Sequence, residues 1–184
     1  MEISELKLKD LLLIKPKVYE DIRGYFFESF REDILSNFLG YKINFTQDNE
    51  SKSSQKTLRG LHYQLPPFAQ TKLVRVVMGN VIDIAVDLRK SSPTFGQYAA
   101  VELSEENKHQ LLIPKGFAHG FIVLSELAIF SYKVDNPYSR EFERGVAYND
   151  PSLNIKWPFD RQEIIISDKD KNLPSMKNNN DFFL

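Results

Sequence analysis

KLVRVVMGNVIDIAVDLRK, residues 72–90, sets two runs rich in Val and Ile on either side of Gly79-Asn80. Branched side chains crowd a helix but fit a pleated strand. A Gly-Asn break between two such runs reads as a hairpin turn. The pattern recurs downstream. FGQYAAVELSEENKHQLLIPKGF (95–117) has two strand-like runs around the polar break Ser104–Lys108, and GFIVLSELAIFSYKV (120–134) gives a third pair broken near Ser125-Glu126. Short strands at this spacing, divided by turn residues, indicate an all-β sandwich or barrel instead of βαβ units.

Helical signals are few. REDILSNFLG (31–40) reads as a short helix, with acidic residues early and Gly40 as a stop. The stretch SMKNNNDFFL (175–184) is polar and Asn-rich until its last three residues, so it is expected to be partly loose. No internal repeat and no long linker divides the 184 residues, which are read as one domain, 1–184.

The formal net charge of −1 offers no bulk attraction to nucleic acid or to a membrane surface, so any anion must be held by a local arrangement of cations. There is no cysteine, which excludes disulfides, thiolate catalysis and Cys-ligated zinc and fits a reducing compartment. MEISELKLKDLLLIKPKVYED (1–21) carries charges throughout, with no apolar run of signal-peptide length, and no segment approaches transmembrane length. The expectation is a soluble cytoplasmic protein with neither nucleic-acid nor membrane partners.

The common nucleotide cradles and the Ser nucleophile elbow are absent. The three histidines, His62, His109 and His119, lack the H-x-H spacing that cupin-type barrels use to hold a transition metal, so no catalytic metal is expected. Proton chemistry supported by fixed charges remains. TLRGLHYQ (57–64) places Arg59, Gly60, His62 and Tyr63 within five positions. Histidine exchanges a proton near neutrality with little tuning, and a proton next to a ketone is acidic enough for such a base if a Lys or a cationic His stabilises the enolate oxygen.

Six stretches occur in order: DIRGYFFESF (21–30), FTQDNESKS (45–53), LRGLHYQ (58–64), TKLVRVVMGNVIDIAVDLR (71–89), IPKGFAHGF (113–121) and YKVDNPYSREFERGVAYNDP (132–151). Together they resemble the dTDP-4-dehydrorhamnose 3,5-epimerase family over residues 8–174. The resemblance implies a cupin-like jelly roll that works without cofactor or metal, as a homodimer, on dTDP-4-dehydro-6-deoxy-glucose, whose C3 and C5 flank the C4 ketone. It implies His62 as the base, Asp170 as the carboxylate that orients it, Tyr132 as the acid on the opposite face, and Lys72 beside the C4 oxygen. Arg23, Glu28, Gln47, Asn49, Arg59, His119, Glu143 and Lys169 match positions that hold the sugar nucleotide. Tyr138 matches the aromatic that stacks on thymine.

Each residue also has an ordinary reading. His62 could be a hydrogen-bonded core histidine, His119 a turn histidine, Arg23 and Arg59 solvated cations, and Lys72 a snorkelling lysine; His109 reads as surface. Asp168, two residues from Asp170, is an equal candidate by type. Arg59 and His62, three apart, fall on opposite faces of a regular strand unless Gly60 allows a kink; otherwise Arg59 reaches over the rim to a phosphate. Tyr132 and Tyr138 share a strand face by spacing, but Pro137 interrupts it. The same motifs fit a relative that inverts one centre. A binding module without catalysis is a third reading, opposed by the presence of both a base and an acid.

Overall fold

The computed structural model describes residues 1–183. Four short strands open the chain: β1 (Glu2–Glu5), β2 (Leu12–Lys15), β3 (Val18–Asp21) and β4 (Gly24–Phe27). Helix α1 (Glu32–Leu39) follows and ends, as the sequence indicates, at Gly40, whose φ of 76° and N–H bond to Ser36 O (2.9 Å) close it. Nine further strands are β5 (Gln47–Ser54), β6 (Leu58–Gln64), β7 (Lys72–Met78), β8 (Asn80–Asp87), β9 (Tyr98–Ser104), β10 (Gln110–Ile113), β11 (Phe117–Val123), β12 (Leu127–Val134) and β13 (Glu143–Gly145). The one-turn helix α2 (Asp168–Lys171) and a 3₁₀ turn at Met176–Asn178 complete the described elements.

The strands form two antiparallel sheets, ordered β1-β2-β10-β7-β12-β5 and β13-β6-β11-β8-β9, with β3-β4 a separate hairpin. This is the all-β jelly-roll architecture expected, but reached differently. None of the three anticipated hairpins exists: β7 and β8, β9 and β10, and β11 and β12 each lie in opposite sheets. A strand facing one core shows the same alternation in either sheet, so a turn signal marks a reversal without saying which sheet comes next. Gly79 shows what the corner requires. Its φ is +80°, and a Cβ there would lie 2.0 Å from Leu127 O, so the chain tips over the edge where a side chain has no room.

Between the sheets lies the main core, including Val74, Val76, Val81, Ala85, Val123 and Phe130. Each of the larger side chains contributes about 1.5–3 kcal/mol by burial. Leu12, Ile14, Leu73 and Leu112, on the far side of the six-stranded sheet, pack against Leu35 of α1. Leu61, Tyr63, Ile84 and Val86, on the outer side of the other sheet, pack with Phe182 and Phe183. That contact corrects the expectation of a partly loose tail. Through residue 183 the tail is strapped down, with Tyr63 Oη donating to Asp181 O (2.7 Å), Lys90 N to Phe183 O (2.8 Å) and Arg144 paired to Asp181 (2.5 Å). Two phenylalanines that cover apolar strand faces outweigh the polar run before them; Leu184 lies outside the described residues. Among the described residues no helix is long and apolar enough to cross a membrane.

Candidate active site

The site forms where β5, β6, β7, β11 and β12 turn polar side chains into the space between the sheets. The decisive local feature is on β6. Its pairing with β11 runs from His62–His119 to Arg59–Phe121, so three steps on β6 span two on β11 and β6 carries one extra residue. Gly60, with φ +128°, absorbs it. Alternation is displaced by one position, and Arg59 and His62 line the same cavity of about 340 Å³ together with Asn49, Lys72, His119 and Tyr132. The kink, one of the two readings the sequence left open, is the one observed. A roomier recess of about 520 Å³ beside Phe30 and Thr46 has no histidine, and its lysine, Lys133, is paired with Asp48 (2.9 Å).

His62 Nε2 lies 2.8 Å from Asp170 Oδ1, while Gly60 N donates to Asp170 Oδ2 at 3.0 Å. Ser167 caps α2 by accepting from Asp170 N (3.1 Å), which directs this carboxylate at β6. Burial would push Asp170 up, but the bonds from His62 and Gly60 outweigh it and hold the carboxyl below its ordinary range. A carboxylate only accepts, so Nε2 is the protonated nitrogen of neutral His62 and Nδ1 is left as its basic atom. Asp168 is turned to solvent beside Lys171 (3.5 Å).

Lys72, at the first position of β7, points into the cavity and donates to His62 O at 3.4 Å. Burial lowers it to about 8, against the opposing charges of Asp83 and Glu143. Tyr132 enters from β12 in the other sheet, opposite Asn49 of β5. Burial raises its phenol, with the Arg59 charge working against the rise. His119 Nε2 meets Asp83 Oδ2 at 2.8 Å, and its ring packs on Phe130 with centroids 6.0 Å apart. Burial pushes His119 down; the charge and hydrogen bond of Asp83 oppose the shift without reversing it, and the charges of Lys72 and His62 add to it. The cavity therefore holds a neutral imidazole at His119 and its cation at Lys72.

The sequence of the dTDP-4-dehydrorhamnose 3,5-epimerase family matches residues 5–178 of this chain. The chain belongs to that family. A Shigella flexneri dTDP-4-dehydrorhamnose 3,5-epimerase is 54% identical over 172 residues, covering 94% of each chain. The crystal structure of the Elizabethkingia anophelis dTDP-4-dehydrorhamnose 3,5-epimerase superposes with a TM-score of 0.94 at 49% identity, covering 98% of each chain. A Legionella pneumophila dTDP-6-deoxy-D-glucose-3,5-epimerase, solved with dTDP-4-keto-L-rhamnose, gives 0.91 at 47% identity over 96% of this chain and 93% of that one.

Against the positions the family resemblance implied, the fold divides the residues into three groups. His62, Asp170, Lys72, Tyr132, Asn49, Arg59 and His119 converge on the cavity or its wall, with Gln47 Nε2 donating to Asn49 Oδ1 at 2.7 Å. Glu143, Tyr138 and Lys169 form a second cluster at the β13 end: Glu143 accepts from Tyr138 Oη (2.8 Å) and Lys169 Nζ (2.6 Å). Burial would raise Glu143, but those two bonds keep it below its ordinary range. Tyr138, interrupted from β12 by Pro137, is more than half exposed. Arg23 and Glu28 lie apart from both groups. Arg23 sits at the β3–β4 turn, paired with Asp21 (2.5 Å), and Glu28 follows β4, paired with Arg31 (3.0 Å). Sequence reading missed Asp83. The signal was there, a lone carboxylate between Val81 and Ala85 on the inward row of β8.

Proposed function

We propose that His62, Tyr132 and Lys72 divide the work of a cofactor-independent 3,5-epimerisation of dTDP-4-dehydro-6-deoxy-glucose. His62 Nδ1 takes the proton from C5 or C3, and the C–H electron pair moves into an enolate on the C4 oxygen. The Lys72 ammonium faces that oxygen, which gains negative charge only as the proton leaves, so its attraction is greatest at the transition state. Tyr132 delivers a proton to the opposite face of the same carbon, and both groups then re-equilibrate with solvent. Asp170 keeps the proton of His62 on Nε2. The observation that carries this reading is the opposition of His62, on β6 and paired with Asp170 of α2, to Tyr132 on the other sheet.

Arg59 at the cavity rim supplies a guanidinium for the diphosphate, and the exposed Tyr138 ring, held by Glu143, supplies a stacking face for thymine. Gln47, Asn49, His119, Glu143 and Lys169 supply the remaining polar contacts. Arg23 and Glu28 do not line the His62 cavity of their own chain, and Arg23 borders only a recess formed by its own β3–β4 hairpin. We place them in the site of a second subunit, the protein acting as a homodimer. The β3–β4 hairpin that carries Arg23 exposes Tyr19, Ile22, Tyr25 and Phe26, the apolar surface such an exchange would cover. The cysteine-free composition fits work in the cytoplasm.

Incubation with the substrate in heavy water tests the reaction. Deuterium at both C3 and C5, with dTDP-L-rhamnose formed on addition of the next reductase and NADPH, is the expected result. Label at one carbon identifies a single-centre enzyme, and label at neither defeats the reading. Sedimentation of the wild-type chain at micromolar concentration as a single monomeric species would defeat the dimer.

A further inference from the structure

We infer that Asp83 is a positioning residue of the reaction: it fixes the proton of His119 on Nε2 and balances the Lys72 ammonium from beneath the cavity. The inference rests on the roles proposed above for Lys72 and the cavity. Asp83 is fully buried and does not line the cavity. It stands on β8 diagonal to His119, since Phe121 is its direct partner and Ala85 is the partner of His119. Its two oxygens have different surroundings. Oδ2 accepts from His119 Nε2 at 2.8 Å, while Oδ1 is buried without a hydrogen-bond partner among the described residues.

That arrangement is costly. A buried carboxylate with one unsatisfied oxygen loses its hydration on both atoms and recovers it on one. Its neighbours on the inward row, Val81 and Ala85, are apolar, and packing alone would be served by another aliphatic residue. The compensation is electrostatic. Lys72 is the lysine of this cavity, and the Asp83 charge favours its protonated form. The other ionisable groups around the cavity are Glu50 on β5, Arg59 and His62 on β6, Tyr132 on β12, Glu143 on β13 and Asp170 on α2. Of these, Asp170 is committed to His62, and Glu143 to Lys169 and Tyr138. Glu50 is exposed to solvent, so Asp83 is the buried carboxylate left to serve Lys72 and His119. With Nε2–H held by Asp83, His119 presents Nδ1 as an acceptor and leaves the enolate oxygen to Lys72.

Two measurements test this. In the wild-type protein, ¹⁵N shifts of the His119 ring at pH 7 report the tautomer without any substitution. Nε2 protonated and Nδ1 bare is expected; an Nδ1–H tautomer or a doubly protonated ring overturns the proposal. In Asp83→Asn the side-chain shape is kept and the charge removed. The expected result is kcat/KM lower by about a hundredfold and the alkaline limb of its pH profile moved down by one unit or more, with thermal stability equal to or above wild type. An unchanged alkaline limb overturns the proposal. If wild type fails to exchange C3 and C5 protons, the epimerase reading fails independently, because the tautomer of His119 is read without substrate.

Discussion

Gly60 and Gly120 approach so closely that a Cβ built on Gly60 would lie 2.6 Å from Gly120 Cα, and one built on Gly120 would lie 2.6 Å from Arg59 O. The two glycines face each other across the β6–β11 pair, at the point where β6 takes its extra residue. The contact leaves room for backbone alone, and the shared face of Arg59 and His62 depends on it.

Gly60→Ala therefore meets both an obstructing backbone and a φ of +128°, which L-residues avoid. The variant is expected to lose about 2–4 kcal/mol of stability and to lose activity beyond what unfolding explains, because relief of the clash rotates His62 away from Tyr132. Urea denaturation with parallel turnover measurements checks this. Wild-type stability would mean that β11 yields easily.

The pairing of His62 with Asp170 separates the two aspartates of α2. Asp170→Asn should lower kcat by about 10²–10⁴-fold, since an amide can donate to Nε2 and reverse the tautomer of the base. Asp168→Asn should leave kcat within a factor of two of wild type, roughly the scatter of a neutral surface change. Equal losses in the two variants would remove the orienting role of Asp170.

Lys72, lowered by burial to about 8, links activity and stability to pH in opposite senses. Its ammonium is present below about pH 8 and lost above it, so kcat/KM should fall as pH rises through that value. In the unfolded chain the same lysine holds its proton up to its ordinary value of 10.5, so between about 8 and 10.5 the unfolded state binds more protons and stability rises with pH. Lys72→Met should thus be inactive yet more stable at pH 7, and its stability advantage should shrink across that window. An advantage that grows with pH would contradict a buried cation at this position.

Tyr132→Phe removes the acid and leaves the base. In heavy water the variant is expected to exchange C3 or C5 hydrogen with retained configuration, while net epimerisation drops by about a hundredfold or more. Loss of exchange in step with epimerisation would assign Tyr132 a part in proton removal.

What the sequence disclosed follows from what alternation encodes. Val74, Val76, Val81 and Ala85 declare strands and their inward faces from periodicity alone, and Gly40 declares a helix end. Sheet membership is a long-range property, so the turns at Gly79, Ser104 and Ser125 look local and are in fact corners between sheets. In the site, His62 stood out by its company. Asp170 and Asp168 are the same residue type two positions apart, and only the Ser167 cap and the docking of α2 on β6 separate them. The placement of Arg59 beside His62 required the bulge, which a lone glycine permits and does not announce.

The distance in sequence between His62 and Asp170, 108 residues, also sets an order in time. At about 5–20 residues per second the ribosome delivers the carboxylate about 5–20 s after the base. A chain halted before Ser167 carries the imidazole, the lysine and the tyrosine but not the group that fixes the imidazole proton. Competence thus arrives late in translation, and truncated products lack it.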